Sequence, residues 1–136
     1  MTTHHRAGRV PIPATAFSHD LRSRGKRPRQ ENEAHLKFIR TLPCLVCGTR
    51  KDVQAAHIRA PSPGYGKRAT GMGERPADCW VLPVCAADHC EQHRMAELAF
   101  WLARGIVDPF KVALSLFAHT GDDEAAELVI RLARAK

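Results

Sequence analysis

Sixteen residues, Asp78 to His93 (DCWVLPVCAADHCEQH), constrain this chain more than any other stretch. A short apolar run, Trp80 to Val84, ends in Cys85, and the pattern beyond it turns helical. A run of that length with aromatic and β-branched bulk reads as a strand. Pro83 has no amide to give to a ladder, so this strand belongs at an edge or ends there. The same sixteen residues hold Cys79, Cys85, Cys90, His89 and His93, a density of soft and imidazole ligands that an ordinary strand-to-helix junction does not need.

Two earlier pieces extend the pattern. Cys44 and Cys47 form a CxxC turn followed by Gly48, where a metal-binding knuckle requires a positive φ. His57 ends a second candidate strand, about 53 to 58. Five cysteines is an odd number, and a CxxC pair in a reducing compartment points to metal ligation rather than to a disulfide framework. Cys44 and Cys47 supply two thiolates, and Cys85 is the natural third, because a hairpin returns the end of the second strand to the first turn. A structural Zn²⁺ tetrahedron needs one more ligand, and Asp88, His89 and Cys90 all qualify by position. Cys79 lies outside this set and reads as a buried thiol.

The remainder of the 136 residues amounts to one domain's worth of chain. Ala34, Phe38 and Leu42 recur at helical spacing, giving a helix over about 31–41 that ends before Pro43, with His35 beside the stripe and exposed. Residues 60–77 form a long loop with four glycines and three prolines; a loop of that length in a compact domain is usually functional. One helix is expected from Cys85 to about Arg104, stopped by Gly105, with Met95, Leu98, Trp101 and Leu102 as its apolar stripe. Two more follow, over about 108–119, opened by Asp108-Pro109, and about 122–135, with Ala125, Leu128, Val129 and Leu132 on its inner face. No apolar run reaches the roughly 18 residues of a membrane span, and no secretory leader is evident, so the cytoplasm is the expected compartment.

Charge is spread unevenly. Residues 1–30 carry Arg6, Arg9, Arg22, Arg24, Lys26, Arg27 and Arg29 against Asp20 alone, which is six of the seven net positive charges of the chain. With Pro11, Pro13 and Pro28 and no periodicity, the segment reads as a disordered basic arm. Arg22, Arg24, Lys26, Arg27 and Arg29, joined by Lys67 and Arg68 of the long loop, are the candidate contacts to a DNA backbone. His4 and His5 in the arm are incidental.

The histidines suggest chemistry. His89 and His93 stand four apart on the expected helix, so their rings leave one face and suit a single divalent cation. His57 ends the other strand and faces the same cleft. Such a cleft fits phosphodiester hydrolysis: a divalent cation such as Mg²⁺ or Mn²⁺ polarises the phosphate, while neutral imidazole takes a proton from water. His57 is the candidate base, with His93 and His89 the candidate ligands.

Taken together, Leu42-Pro43-Cys44-Leu45-Val46-Cys47-Gly48, Ala56-His57-Ile58-Arg59, Gly71-Met72-Gly73, Asp78 to Cys85, Glu91-Gln92-His93 and Glu97 to Trp101 resemble the HNH nucleases of the ββα-metal type, most of all the phage recombination-enhancement nuclease (Ref) family. The resemblance spans about residues 40–110. It implies an α+β fold, a small zinc-stapled ββα-metal domain (residues 31–136, with added C-terminal helices), behind the basic arm. It also implies DNA cleavage with a divalent cation in a bacterial or phage-infected cell, in recombination or repair, and suggests a recombinase filament as partner. Three positions depart from the family pattern. Ala56 stands where many relatives carry a ligand before the catalytic His. The middle Asn is missing, Asn32 being the only one in the chain, and Asp78 stands near that place as a candidate ligand or as the group that orients His57. Asp88-His89-Cys90 replaces two successive histidines. A DNA-binding zinc module that does not cut is the alternative these departures leave open. A CxxC thiol oxidoreductase is disfavoured, since no helix N-terminus follows the motif to lower a thiol pKa.

Overall fold

The computed structural model describes residues 29–134, and the arm up to residue 28 lies outside the described residues. The architecture is α+β: among the described residues, a two-stranded antiparallel sheet is carried by five α-helices, with one short 3-10 turn at Pro63–Tyr65. Helix α1 (Glu33–Arg40) leads through the Cys44 turn to strand β1 (Val53–His57). Strand β2 (Val81–Cys85) runs directly into α2 (Ala86–Gln92), and α3 (Glu97–Ala103), α4 (Pro109–Ala118) and α5 (Asp123–Arg134) complete the chain. The strands pair from Val53 opposite Cys85 to His57 opposite Val81, so the hairpin brings both ends of the motif residues together.

Each element has a local cause. Asn32 caps α1 by accepting from the His35 amide at 3.0 Å, and Asp108 caps α4 through the Lys111 amide at 3.1 Å with Pro109 in the first turn. Gly48 sits at φ +77° and Gly105 at φ +80°, conformations that a Cβ would strain. β2 is buried along its whole length, because α1, α2 and α4 all pack against it. Pro83 does not break the ladder: its carbonyl accepts from the Leu45 amide at 2.8 Å and ties the Cys44 turn to the sheet. The core is formed by Ile39, Leu42, Ile58, Leu82, Val84, Phe100, Trp101, Leu116 and Ile130, all essentially inaccessible.

The structure corrects four expectations. The helix after Cys85 is not continuous to Arg104. It ends at His93 and restarts after Ala96 as α3, at a new angle that allows the neighbours Phe100 and Trp101 both to enter the core. The expected stripe is consequently displaced: Met95, Leu98 and Leu102 are exposed and Trp101 alone of that set is buried. On α5 the inner face turns by one residue, to Ala126 and Ile130, leaving Leu128 and Leu132 exposed. His35 is fully buried rather than exposed, bonded through Nδ1 to Thr120 Oγ1 at 2.7 Å and set edge-on to Phe117. Finally, Arg29 and Gln30 are not part of a free arm, since both are fastened to the loop before β2. Among the described residues no helix is long and apolar enough to cross a membrane.

Candidate functional site

The first centre is a cluster of Cys44, Cys47, Cys85 and Asp88, whose potential ligand atoms all lie within 4.8 Å of one another. The turn that carries Cys44 and Cys47 is closed by Gly48 donating to the Cys44 carbonyl at 2.9 Å and by the Cys44 amide donating to the Thr49 carbonyl at 2.8 Å. Cys85 ends β2, and its amide donates to Cys44 Sγ at 3.3 Å. Asp88 Oδ2 accepts from Cys85 Sγ at 3.1 Å and from Cys44 Sγ at 3.5 Å, and the sulfurs of Cys47 and Cys85 are 3.7 Å apart. Thiolates bound tetrahedrally to one ion at about 2.3 Å would be about 3.8 Å apart, so these spacings fit a shared metal. All five cysteines are free, and no disulfide competes for them.

The electrostatics also ask for a cation. Burial, with Asp88 and the neighbouring cysteines, pushes the Cys85 thiol up to about 12. Burial works against ionisation of Asp88, but the thiol hydrogen bonds outweigh it and lower its pKa. A backbone hydrogen bond at Thr49 favours the Cys47 thiolate, yet burial and its bonds to Asp88 and Cys44 carry that thiol upward. A divalent ion would reverse the thiol shifts by neutralising the crowded anions. Of the three positions open for the fourth ligand, the structure brings in Asp88. Cys90 is exposed and His89 is engaged elsewhere.

The second centre is built on His57, at the opposite end of the hairpin from Cys85. His57 Nε2 donates to Asp78 Oδ1 at 2.8 Å. Asp78 is almost wholly buried, and it also accepts from Arg29 Nη2 at 2.6 Å and, through Oδ2, from the Asn32 amide at 2.7 Å. Burial alone would raise the Asp78 pKa, but these three donors outweigh it and hold the carboxyl at about 2. An ionised Asp78 fixes the proton of His57 on Nε2 and leaves Nδ1 with a lone pair. Burial lowers the His57 pKa, more than the Asp78 carboxylate restores, so the ring is neutral at physiological pH.

On α2, His89 and His93 meet at Nε2 to Nε2, 3.1 Å apart, with ring centroids separated by 4.7 Å. Gln54 Oε1 accepts a hydrogen bond from His89 Nδ1 at 2.7 Å, which keeps the proton on Nδ1 and gives Nε2 of a neutral His89 the lone pair a ligand needs. Burial, then His93 and His57, lower the His89 pKa, as expected where three imidazoles crowd one cleft. Among the described residues no third His, Cys, Asp or Glu completes a cluster with this pair.

The candidate DNA contacts divide into three groups. Arg22, Arg24, Lys26 and Arg27 lie outside the described residues. Arg29 holds Asp78 and the Pro76 carbonyl instead of projecting outward. Lys67 is 5% exposed, its ammonium 3.3 Å from the Arg59 carbonyl and 3.4 Å from that of Arg68, so it is not the solvated side chain the loop composition suggests. Arg68 is exposed and paired with Glu74. Sequence reasoning missed Arg29 and Asn32 as supports of Asp78, and Gln54 as the partner of His89. No local pattern marks them, because each bond joins residues between 35 and 49 positions apart.

The model of a family described as a protein of unknown function (DUF968) matches residues 15–105. The chain is also 35% identical over 68 residues to the uncharacterized protein YdfU of Escherichia coli (strain K12). That alignment covers 50% of this chain and 18% of the relative, so the chain corresponds to less than a fifth of that longer protein. No solved structure matches.

Proposed function

The chain belongs to the DUF968 family, and from its two centres we propose that it is a metal-dependent DNA endonuclease of HNH type. The observation that carries this reading is the His57–Asp78 bond of 2.8 Å beside the His89–His93 pair. In this mechanism Asp78 holds the Nε2 proton, His57 Nδ1 accepts a proton from the attacking water, and the walls of the cleft orient the phosphodiester. A divalent cation held by His89 and His93 would supply Lewis-acid polarisation of the phosphate and stabilise the departing 3′ oxygen. Mg²⁺ and Mn²⁺ both favour oxygen ligands, while imidazole suits Zn, Cu, Fe or Ni, so the two histidines would hold either expected ion with water and phosphate oxygens completing its shell. Asp78 then takes the orienting role for which the family's missing Asn left a gap.

The cysteine centre is read as a structural Zn²⁺ site: three thiolates and a carboxylate close the tetrahedron and leave no open position for substrate. DNA is the proposed partner, and recombination or repair, with a recombinase filament, the proposed setting. The test is nicking of supercoiled plasmid with Mn²⁺ or Mg²⁺ by wild type and by His57→Ala. Equal rates would remove His57 from the chemistry. A second reading is favoured by the lack, among the described residues, of a third protein ligand beside His89 and His93: a zinc-stapled DNA-binding module that does not cut. It predicts salt-dependent binding without nicking at any divalent ion.

A further inference from the structure

The long loop and the start of the described chain enclose a second concavity, of about 360 Å³, lined by Arg29, Lys67, Arg68, Glu74, Arg75 and Trp80 among others. Its size lies within the roughly 300–1,000 Å³ of small-ligand pockets. It is too small for a duplex, whose major groove alone is about 12 Å wide. Four cationic side chains line it against one carboxylate, and part of that charge is already committed. Arg29 is held by Asp78 and Glu31, and Arg68 by Glu74.

Two charges remain without an anion. Lys67 is buried with no carboxylate within 4 Å among the described residues; its ammonium reaches only the two carbonyls, at 3.3 and 3.4 Å. A buried cation without an anionic partner is costly to keep charged, and burial does pull the Lys67 pKa down. Arg75 is exposed and, among the described residues, forms no ion pair. It is close enough to His57 to depress that residue's pKa, as is Arg29, so the concavity adjoins the cleft. Trp80, 9% exposed and set edge-on to Phe110, contributes the accessible part of its side chain to the wall, where a base can make contact.

We infer that this concavity takes one phosphorylated nucleotide of a DNA strand, its phosphate between Arg75 and Lys67 and its base against Trp80. The assignment rests on the proposed nuclease reading for its choice of DNA, and it adds a position where the strand next to the cleft is unpaired. Arg and Lys are the two side chains that phosphate recognition uses most, the first as a fork and the second as a point charge. Filling the site also gives Lys67 the anion it lacks.

The experiment uses the full chain and follows tryptophan fluorescence during titration with a deoxynucleoside monophosphate and, separately, with a short single-stranded oligonucleotide. Both should give saturable changes, lost in Trp80→Phe. Affinity should fall about tenfold or more in Arg75→Ala, a surface change that leaves folding untouched, and in Lys67→Met, checked for an unchanged circular dichroism spectrum. The oligonucleotide salt slope should also drop by about 0.7 for the lost phosphate contact in Arg75→Ala. Affinities and slopes equal to wild type in Arg75→Ala would overturn the assignment, whatever Lys67→Met does. Response to the mononucleotide but not the oligonucleotide would overturn the strand as its source. His57→Ala should bind both probes as wild type does. A protein that binds them without nicking plasmid would lose the nuclease reading and keep this pocket, while one that nicks DNA equally well with Arg75→Ala would do the reverse.

Discussion

The cysteine centre and the histidine centre are built on the same hairpin and differ in how complete they are. The cysteine centre gathers four ligand atoms within 4.8 Å, three of them thiols, and burial, with Asp88 and the neighbouring sulfurs, pushes Cys85 up to about 12. The histidine centre gathers two imidazole nitrogens, 3.1 Å apart, and spends its carboxylate on orienting His57 rather than on a cation. A closed ligand set fastens backbone, and an open one leaves coordination positions for a substrate. On the proposed reading, one short strand and one two-turn helix carry a fastener and a reaction cleft, and substitutions in the two should fail in different ways.

The largest effect is expected at the fastener. Structural metal sites of this type bind with roughly 10–16 kcal/mol, comparable to the whole stability of a domain at about 5–15 kcal/mol. Cys85→Ser should therefore lose the bound metal and the cooperative thermal transition together, as should wild type treated with a strong chelator. A Cys85→Ser protein that melts like wild type would remove the distinction between the centres. Next is His57→Ala, for which nicking should fall by about 10²–10⁴-fold with metal content unchanged and the cooperative thermal transition kept, though at a lower temperature because buried Asp78 loses a donor.

Asp78→Asn sharpens the comparison by acting on both stability and rate. The Asp78 carboxyl is held at about 2 against an ordinary 3.8, so its folded pKa is depressed. The stabilisation it contributes is complete above about pH 4 and disappears as the pH falls through about 2, amounting to about 2 kcal/mol at roughly 1.4 kcal/mol per unit. Denaturant midpoints for wild type should decline across that window, and the Asp78→Asn profile should be flatter there. Matching slopes would mean that Asp78 has no such role. The smallest effect belongs to Cys90→Ala. Exposed and outside the cluster, Cys90 should change stability by less than about 0.5 kcal/mol with full metal retention; loss of metal would return it to the ligand set.

The sequence made the fastener more legible than the cleft. Cys44, Cys47 and Cys85 follow from spacing and from the hairpin, which local patterns announce. The fourth ligand depended on where α2 begins. Because α2 starts at Ala86, Asp88 is its third residue, and side chains there tilt back toward the helix N-terminus and so toward Cys85. His89 and Cys90 turn away, by about 100° per residue. A start one residue later would have favoured a different ligand, and periodicity does not resolve single residues.

The break between α2 and α3 was hidden for another reason. Arg94, Met95 and Ala96 are all good helix formers, and the chain bends there because Phe100 and Trp101 both find room in the core and Glu97 caps the Arg59 amide at 2.9 Å. Those are tertiary contacts, which propensity does not see. Lys67 misled in the same way: a glycine-rich, basic loop reads as solvated, and only the fold supplies the two carbonyls that bury its ammonium.

Residues 29–32 have a practical consequence. Arg29 grips Asp78 and the Pro76 carbonyl, Gln30 accepts from the Asp78 amide, and Asn32 donates to its carboxylate. The point where the basic arm joins the domain is thus also the point that aims His57. A truncation intended only to weaken DNA binding can remove residues up to 28; one that reaches 29 also unlatches Asp78. An N-terminal deletion series should therefore show a step in nicking rate between those two residues, so that the arm's root is assayed as machinery and its length as affinity.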